Sequence, residues 1–481
     1  MTVARHPISR SRRRPVERSG RIHDVARSAS VRRADTPSSG PYVMIEEAKG
    51  ELPWPAKIFL VGLVIPWIIP LGPLNLSVYR IILLISLLPC FLMWIRGKAG
   101  PIRVADVAVI LLCFWASLSL AVVHGFQSVI EAIGIFNLET LGAYMLGRCY
   151  IRTADDFRNM VQLASKLIAI LLPFALYEWI TGGKALLSTF AMVFPTVEVT
   201  LMQPRWGFWR AQGPFSHPIL FGLFCASVVA LAYMGPGYGK SALSRWAQPA
   251  AISLATCLSM SSAPIAGVML QLVLLGWDSL LRSFEHRWKL LWGIVFMGYL
   301  VVEFGSNQTP LKFYISHFTF DAQTGWFRFL IWELGSASVA KHPLFGIGDG
   351  EWERPSWMPG SVDNFWLVVA MRHGIPAVVL IFGAFMLIVC GVAFKKGLAD
   401  NVDAYRTGYV ICMVMFLLVG CTVHFWAAPY AWFLFLLGSG AWILDVKPLG
   451  NLSPETPGTG SSKVRRVQTV NRAGFAGGRL V

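Results

Sequence analysis

Apolar residues run along this chain in blocks of about twenty, the length at which an α-helix spans a hydrocarbon core of about 30 Å. Twelve such blocks stand near residues 57–73, 79–95, 104–123, 130–148, 159–180, 217–235, 247–262, 264–281, 288–304, 375–394, 407–424 and 428–445. No long stretch alternates apolar and polar positions between turns, as a membrane β-barrel requires. Lipid offers an open backbone no hydrogen-bond partner, so the pattern predicts an all-α polytopic membrane protein with about 12 transmembrane helices. Two irregularities stand out: Glu139 interrupts the fourth block, and only Ser261-Ser262-Ala263-Pro264 separates the seventh from the eighth.

The polar positions organise the rest. Residues 1–50 are Pro/Ser-rich and carry Arg12, Arg13, Arg14, Arg32 and Arg33, with no apolar core at signal-peptide distance. That segment reads as a disordered basic cytoplasmic tail suited to resting on anionic membrane lipid, with Met44 as an alternative start. Residues 448–481 read as a second disordered cytoplasmic tail, leaving 51–447 as the transmembrane domain. With the N-terminus inside, the inner loops hold Arg96/Lys98/Arg103, Arg148/Arg152/Arg158, Lys240/Arg245, Arg282/Arg287/Lys289 and Lys395/Lys396/Arg406. The loops after the first, third, seventh and eleventh blocks hold no Lys or Arg. This asymmetry predicts that both termini are cytoplasmic.

Composition sharpens the class. The chain of 481 residues is 55% hydrophobic and 14% charged, more apolar surface than a soluble domain hides. A net charge of +16 lies in the tails and inner loops, so it does not indicate nucleic acid. Eight cysteines lie in or beside apolar blocks with no CxxC pair and no Cys/His cluster. Neither a disulfide framework nor a metal site is indicated, and nothing calls for a cofactor.

Two segments assigned to the outer side are too long to be simple connections: about 181–216 and about 305–374. They contain Trp206, Trp209, Trp326, Trp332, Trp352 and Trp357, together with Arg205, Arg210, Arg328, Arg354 and Arg372. Arg205-Trp206-Gly207-Phe208-Trp209-Arg210 leads through Gly213-Pro214-Phe215-Ser216-His217 into a helix and brings two guanidinium groups to its mouth. Guanidinium forks bind phosphate oxygens in pairs and stay charged, whereas an arginine at this depth otherwise snorkels to headgroups. Acids and bases on this side are Asp349, Glu351, Glu353, Asp363 and His373. Glu139 and Glu303 are expected in ion pairs. Gly346-Ile347-Gly348-Asp349-Gly350 is no dinucleotide fingerprint without a βαβ unit; it reads as a tight turn near a ligand or packed helices.

Several segments, in order, resemble the O-antigen ligase/polymerase family of bacterial membrane enzymes, which act on undecaprenyl-pyrophosphate-linked glycans. They are E-T-L-G-A-Y-M-L-G-R (139–148), R-A-Q-G-P-F-S-H-P (210–218), W-F-R-F-L-I-W (326–332), K-H-P-L-F-G-I-G-D-G (341–350) and V-D-N-F-W-L with R-H-G-I-P (362–376). The resemblance covers roughly residues 57–445. It implies a GT-C-like architecture in the bacterial inner membrane, a periplasmic active site under a large loop, and inverting, metal-independent glycosyl transfer. Arg210 and Arg328 match the family's arginines that hold the donor pyrophosphate. The ligase branch carries His-Asn where this chain has Asp363-Asn364, which points to a polysaccharide polymerase. Arginines stabilise charge on the leaving pyrophosphate, and an acceptor hydroxyl needs a base, for which Asp363 is the candidate. Arg205, Asn364, His217, Arg354, Arg372 and Trp352 are then expected at the substrate. The expected partners are a lipid-linked oligosaccharide, membrane lipid, and chain-length regulator and export proteins. A ligase passing glycan to another acceptor is the nearest alternative; a transporter or glycan flippase is the next.

Overall fold

The computed structural model describes residues 50–447 apart from 72, 73, 308 and 318–321, so the expected tails lie outside the described residues, save Gly50. The described chain is mostly helical. In order it forms α1 (Trp54–Leu63), β1 (Ile68–Leu71), β2 (Leu74–Ser77), α2 (Val78–Ile95), α3 (Val104–His124) and α4 (Phe126–Asn137). A π-helical turn, Leu138–Gly142, joins α4 to α5 (Ala143–Tyr150), followed by α6 (Ala154–Thr181), α7 (Ala185–Ala191), α8 (Pro218–Ser227) and α9 (Val229–Met234). Then come α10 (Ala242–Leu258), α11 (Ser262–Leu280), α12 (Arg287–Gly305), α13 (Pro310–His317) and α14 (Ala322–Lys341). The last four are α15 (Phe365–Ala393), α16 (Asp400–Val419), α17 (Ala427–Ser439) and α18 (Ala441–Asp445).

Among the described residues, nine helices are long and apolar enough to cross a membrane, counting α4 to α5 and α17 to α18 as one each. They coincide with nine of the twelve apolar blocks. The other three blocks form shorter helices. The block at 57–73 is helical only to Leu63, and its end enters an antiparallel hairpin in which Ile68 pairs with Ser77. Pro66 and Pro70 account for this: proline lacks the amide a helix needs, and Pro70 falls in a two-stranded ribbon that tolerates it. The blocks at 217–235 and 247–262 become α8 with α9, and the 17-residue α10.

The large loop expected at 305–374 is also largely helical. It contains α13 and α14, and α15 begins at Phe365, ten residues before the expected span at 375. Asn364 starts α15: its Oδ1 accepts from the Leu367 amide at 3.0 Å, a side-chain N-cap.

The core is built around α17, which is buried along nearly its whole length. It meets α5 backbone to backbone. A Cβ on Gly147 would lie 2.1 Å from the Phe435 carbonyl oxygen, and one on Gly438 2.1 Å from that of Tyr144. Small residues that let helices approach this closely are how apolar helices associate when lipid is as apolar as their side chains. Trp432, fully buried, donates from Nε1 to Ser227 Oγ at 2.8 Å and so ties α17 to α8. By contrast, α12 has no buried residue; Trp288 and Leu291 pack partly on a neighbouring apolar cluster, and most of its apolar surface is left for lipid.

Charge locks one end of the bundle. Buried Arg148 pairs with buried Asp106 at 3.3 Å and donates to the Pro101 carbonyl at 2.8 Å; Asp106 also accepts from Tyr144 (2.5 Å) and Trp94 (3.0 Å). Arg152 and Arg103 both pair with Asp445, the last residue of α18. Glu139, set in the π-turn, pairs with Arg80 at 2.8 Å, the ion pair expected for it. Glu303 is exposed and has no such partner among the described residues.

Candidate functional site

The stretch before α8 is held rigidly from both sides. Glu178, buried in the last turn of α6, accepts from the amides of Gln212 (2.8 Å) and Gly213 (3.2 Å) and pairs with Lys184. Buried Gln212 donates to the carbonyls of Glu198 (3.1 Å) and Phe215 (2.8 Å) and accepts from the Thr200 amide (3.1 Å). The Ala211 amide donates to the Leu258 carbonyl at 3.0 Å, fastening the stretch to the end of α10. With these groups of the turn engaged, the side chain between the anchors, Arg210, has a fixed exit direction.

Arg210 enters a nook made by the turn between α10 and α11. Its Nη2 donates to Ser261 Oγ at 2.9 Å, its Nε to the Ser259 carbonyl at 3.4 Å and its Nη1 to Met202 Sδ at 3.1 Å. Arg205 donates from Nη1 to the Met260 carbonyl at 2.7 Å. Met260 sits at φ 47°, a strained value for a residue with a Cβ, and the strained turn aims consecutive carbonyls at two arginines. Arg210 is 7% exposed and no carboxylate stands within ion-pair distance of it among the described residues. Burial, and then the charge on Arg205, lowers its pKa to about 10.

Arg328 and Asp363 complete the cluster. α14 packs along α15 with Gly335 against Leu367 and Met371, which brings buried Arg328 over the turn that starts α15. Burial lowers the pKa of Arg328, while Asp363 and Tyr314 raise it and Arg205 lowers it. Asp363 keeps partial solvent contact in dense surroundings; burial raises its pKa and Arg328 pulls it back down. Among the described residues, Arg205 thus lies within electrostatic reach of both Arg210 and Arg328, and Arg328 of Asp363, so three partly desolvated guanidinium groups stand near one carboxylate, a setting that suits an anion.

The remaining sequence candidates divide by position. His217 belongs to the cluster electrostatically but serves as the N-cap of α8, its Nδ1 accepting from the Ile219 amide at 3.1 Å. Burial, then Arg210 and Arg205, lowers its pKa to about 4, so it is neutral with its proton on Nε2. Asn364 is committed to capping α15. Trp352, expected at the substrate, is instead buried with Ile331, Met358, Leu367 and Met371 and donates from Nε1 to the Gly360 carbonyl at 3.0 Å. Arg354 lies over its ring at 5.7 Å, pairs with Glu351 and donates to the Met358 carbonyl at 3.2 Å, so both residues shape the loop rather than face the arginines.

Arg372 stands apart from the cluster, paired with Asp349 at 3.5 Å at the rim of a cavity of about 220 Å³. The glycine-rich segment explains that placement. It straps across a kink in α15, with Ile347 and Gly348 donating to the carbonyls of Met371 (2.7 Å) and Arg372 (3.0 Å), and Pro343 accepting from the Ile375 amide (2.8 Å). Gly374, at φ 79° and ψ 174°, makes the kink. These glycines therefore serve packed helices.

Ser259 and Ser261 escaped sequence reasoning: Ser259 lay inside the seventh apolar block and Ser261 in the break that ends it. Trp326 and Trp357, 51% and 57% exposed, stack at 5.7 Å between ring centres and 11° between planes, an open aromatic surface beside the cluster helix. Among the described residues no group of three or more His, Cys, Asp or Glu side chains is arranged to share a metal ion. No family model and no curated protein matches this chain, so the motifs quoted above carry the resemblance unaided.

Proposed function

We propose that this protein is a membrane glycosyltransferase that polymerises undecaprenyl-pyrophosphate-linked oligosaccharide repeat units into a surface or exopolysaccharide. The observation that supports it most is buried Arg210, with no ion-pair partner among the described residues, beside Arg205, which in turn lies near the Arg328–Asp363 pair. A diphosphate satisfies that excess of guanidinium charge. In this reading the acceptor hydroxyl oxygen attacks the anomeric carbon of the donor from the face opposite the leaving group. The new C–O bond forms as the old bond to phosphate breaks, inverting the configuration. The electron pair leaves with the lipid pyrophosphate, whose charge falls on the arginines, and the hydroxyl proton passes to Asp363. No metal or other cofactor takes part in these steps.

The reading carries a topology with it. Three short helical segments, α1 with its hairpin, α8 with α9, and α10, join the nine long ones to make twelve crossings in a GT-C-like arrangement. Both termini are then cytoplasmic and the arginine cluster faces the periplasm of a bacterial inner membrane. Chain-length regulator and export proteins are the natural partners.

The test is glycan analysis of a deletion strain complemented with wild type or Arg210→Ala. Lipid-linked single repeats in the deletion, unrescued by a normally expressed Arg210→Ala, are expected. Full-length polymer stranded on its carrier would make the protein a ligase, and unaltered polymer would favour a transporter.

A further inference from the structure

A second feature lies across the Asp363–Phe365 turn from the arginines. The cavity of about 220 Å³ has Arg372 and Asp349 at its exposed rim and Phe365 and Trp426 in its wall. It shares that wall with the cluster: Phe365 follows Asp363 by two positions, and the Trp426 ring packs 5.9 Å from His217. His373 and His424 also line it, and the Nδ1 atom of each is buried with no hydrogen-bond partner.

The charges lining the cavity cancel. Arg372 is matched by Asp349 at 3.5 Å, and Glu139, which lines the cavity, by Arg80 at 2.8 Å. Burial and the charge on Arg372 lower the pKa of His424 to about 3, keeping that imidazole neutral. Nothing is left over for an anion here, in contrast to the arginine cluster. The neutral imidazole of His424, the His373 ring and the carboxylates offer hydrogen-bonding groups that hydroxyls, which both donate and accept, can match. The aromatic wall offers the negative face of a ring to the weakly positive C–H face of a sugar.

We propose that this cavity is the subsite for one neutral pyranose residue of the glycan acceptor, held against Trp426 with its hydroxyls on His373, His424 and the Asp349–Arg372 pair. The proposal rests on the glycan-transfer reading of the neighbouring cluster. It divides the work between two adjoining sites: diphosphate on the arginines, neutral sugar in the cavity, and the Asp363 turn between them.

The test is equilibrium binding to the full-length protein in lipid nanodiscs, with methyl hexopyranosides and, separately, inorganic pyrophosphate as probes. Wild type is expected to bind both. His424→Leu, close in size, and Trp426→Ala are each expected to weaken the hexoside by about tenfold, the loss of one net interaction of about 1.4 kcal/mol. Both should leave pyrophosphate binding unchanged, which also shows that the variants are folded. Arg210→Ala should do the reverse. No hexoside binding by wild type, or equal hexoside binding in both cavity variants, overturns the subsite. Tighter binding of glucuronate than of the neutral hexoside overturns its neutrality. Pyrophosphate binding that survives Arg210→Ala counts against the cluster reading and leaves hexoside binding as a separate result.

Discussion

Arg210→Met is expected to leave the protein about as stable as before while removing its function. Burial holds the pKa of Arg210 at about 10, against an ordinary value above 12. A difference of that size means the folded state disfavours the charged form by roughly 3 kcal/mol. The shift is downward, so the penalty is present at neutral pH and fades only as pH rises through the lowered value. Methionine removes the charge and fills much of the volume. It forfeits the charge-assisted hydrogen bonds to the Ser259 carbonyl and Ser261 Oγ, worth about 1.5 kcal/mol each. The balance is close to zero. The assay is the thermal unfolding midpoint in nanodiscs at one scan rate, with and without inorganic pyrophosphate. Without it, the variant should melt close to wild type. Pyrophosphate at ten times its Kd should stabilise wild type by about 1.4 kcal/mol and leave the variant unmoved. A variant destabilised by more than about 2 kcal/mol, or one still stabilised by pyrophosphate, would refute the view of Arg210 as a buried charge awaiting an anion.

Two further outcomes are expected. Burial raises the pKa of Asp363 and Arg328 opposes that rise, so the proton-accepting form is lost as pH falls through the resulting value. In Arg328→Gln the opposing charge is gone, and the acid limb of single-turnover glycan transfer should move to higher pH; a limb that stays or moves lower rules out Asp363 as the base. Gly374→Ala puts a Cβ 1.9 Å from the Leu344 carbonyl oxygen at a backbone conformation open almost only to glycine. Strain of about 1–3 kcal/mol, with the strap's hydrogen bonds displaced at about 1 kcal/mol each, should lower the melting midpoint and raise amide exchange across 343–348. Gly383→Ala, with open space around its Cβ position, is the control expected to leave both unchanged.

The arrangement links these outcomes. The strap across Gly374 sets where Arg372 and His373 stand, so it bears on the cavity without touching a ligand. The strained turn at Met260 does the same for the arginines, because its neighbouring carbonyls and hydroxyl decide where the guanidinium groups rest. Both supports are backbone features, which is why side-chain chemistry alone did not reveal them.

The nine long helices were legible in the sequence because crossing a hydrocarbon layer is a local demand: about twenty consecutive apolar residues satisfy it whatever lies nearby. The arginines of the two long segments were legible for a similar reason, since charge on apolar ground needs a partner or a purpose. Helix ends were less so. α15 begins ten residues early because Asn364 caps it, and the first block stops at Leu63 with Pro66 close behind. Only the tertiary structure brought Arg205 near both Arg210 and Arg328, and Arg328 near Asp363, buried Trp352, and assembled the cavity. That cavity draws walls from α4, the π-turn, α15 and the segment before α17, and no spacing along the chain encodes such a meeting. It follows from how closely helices can pack, as at Gly147 and Gly438, where the lack of a side chain matters only once the partner backbone is in place.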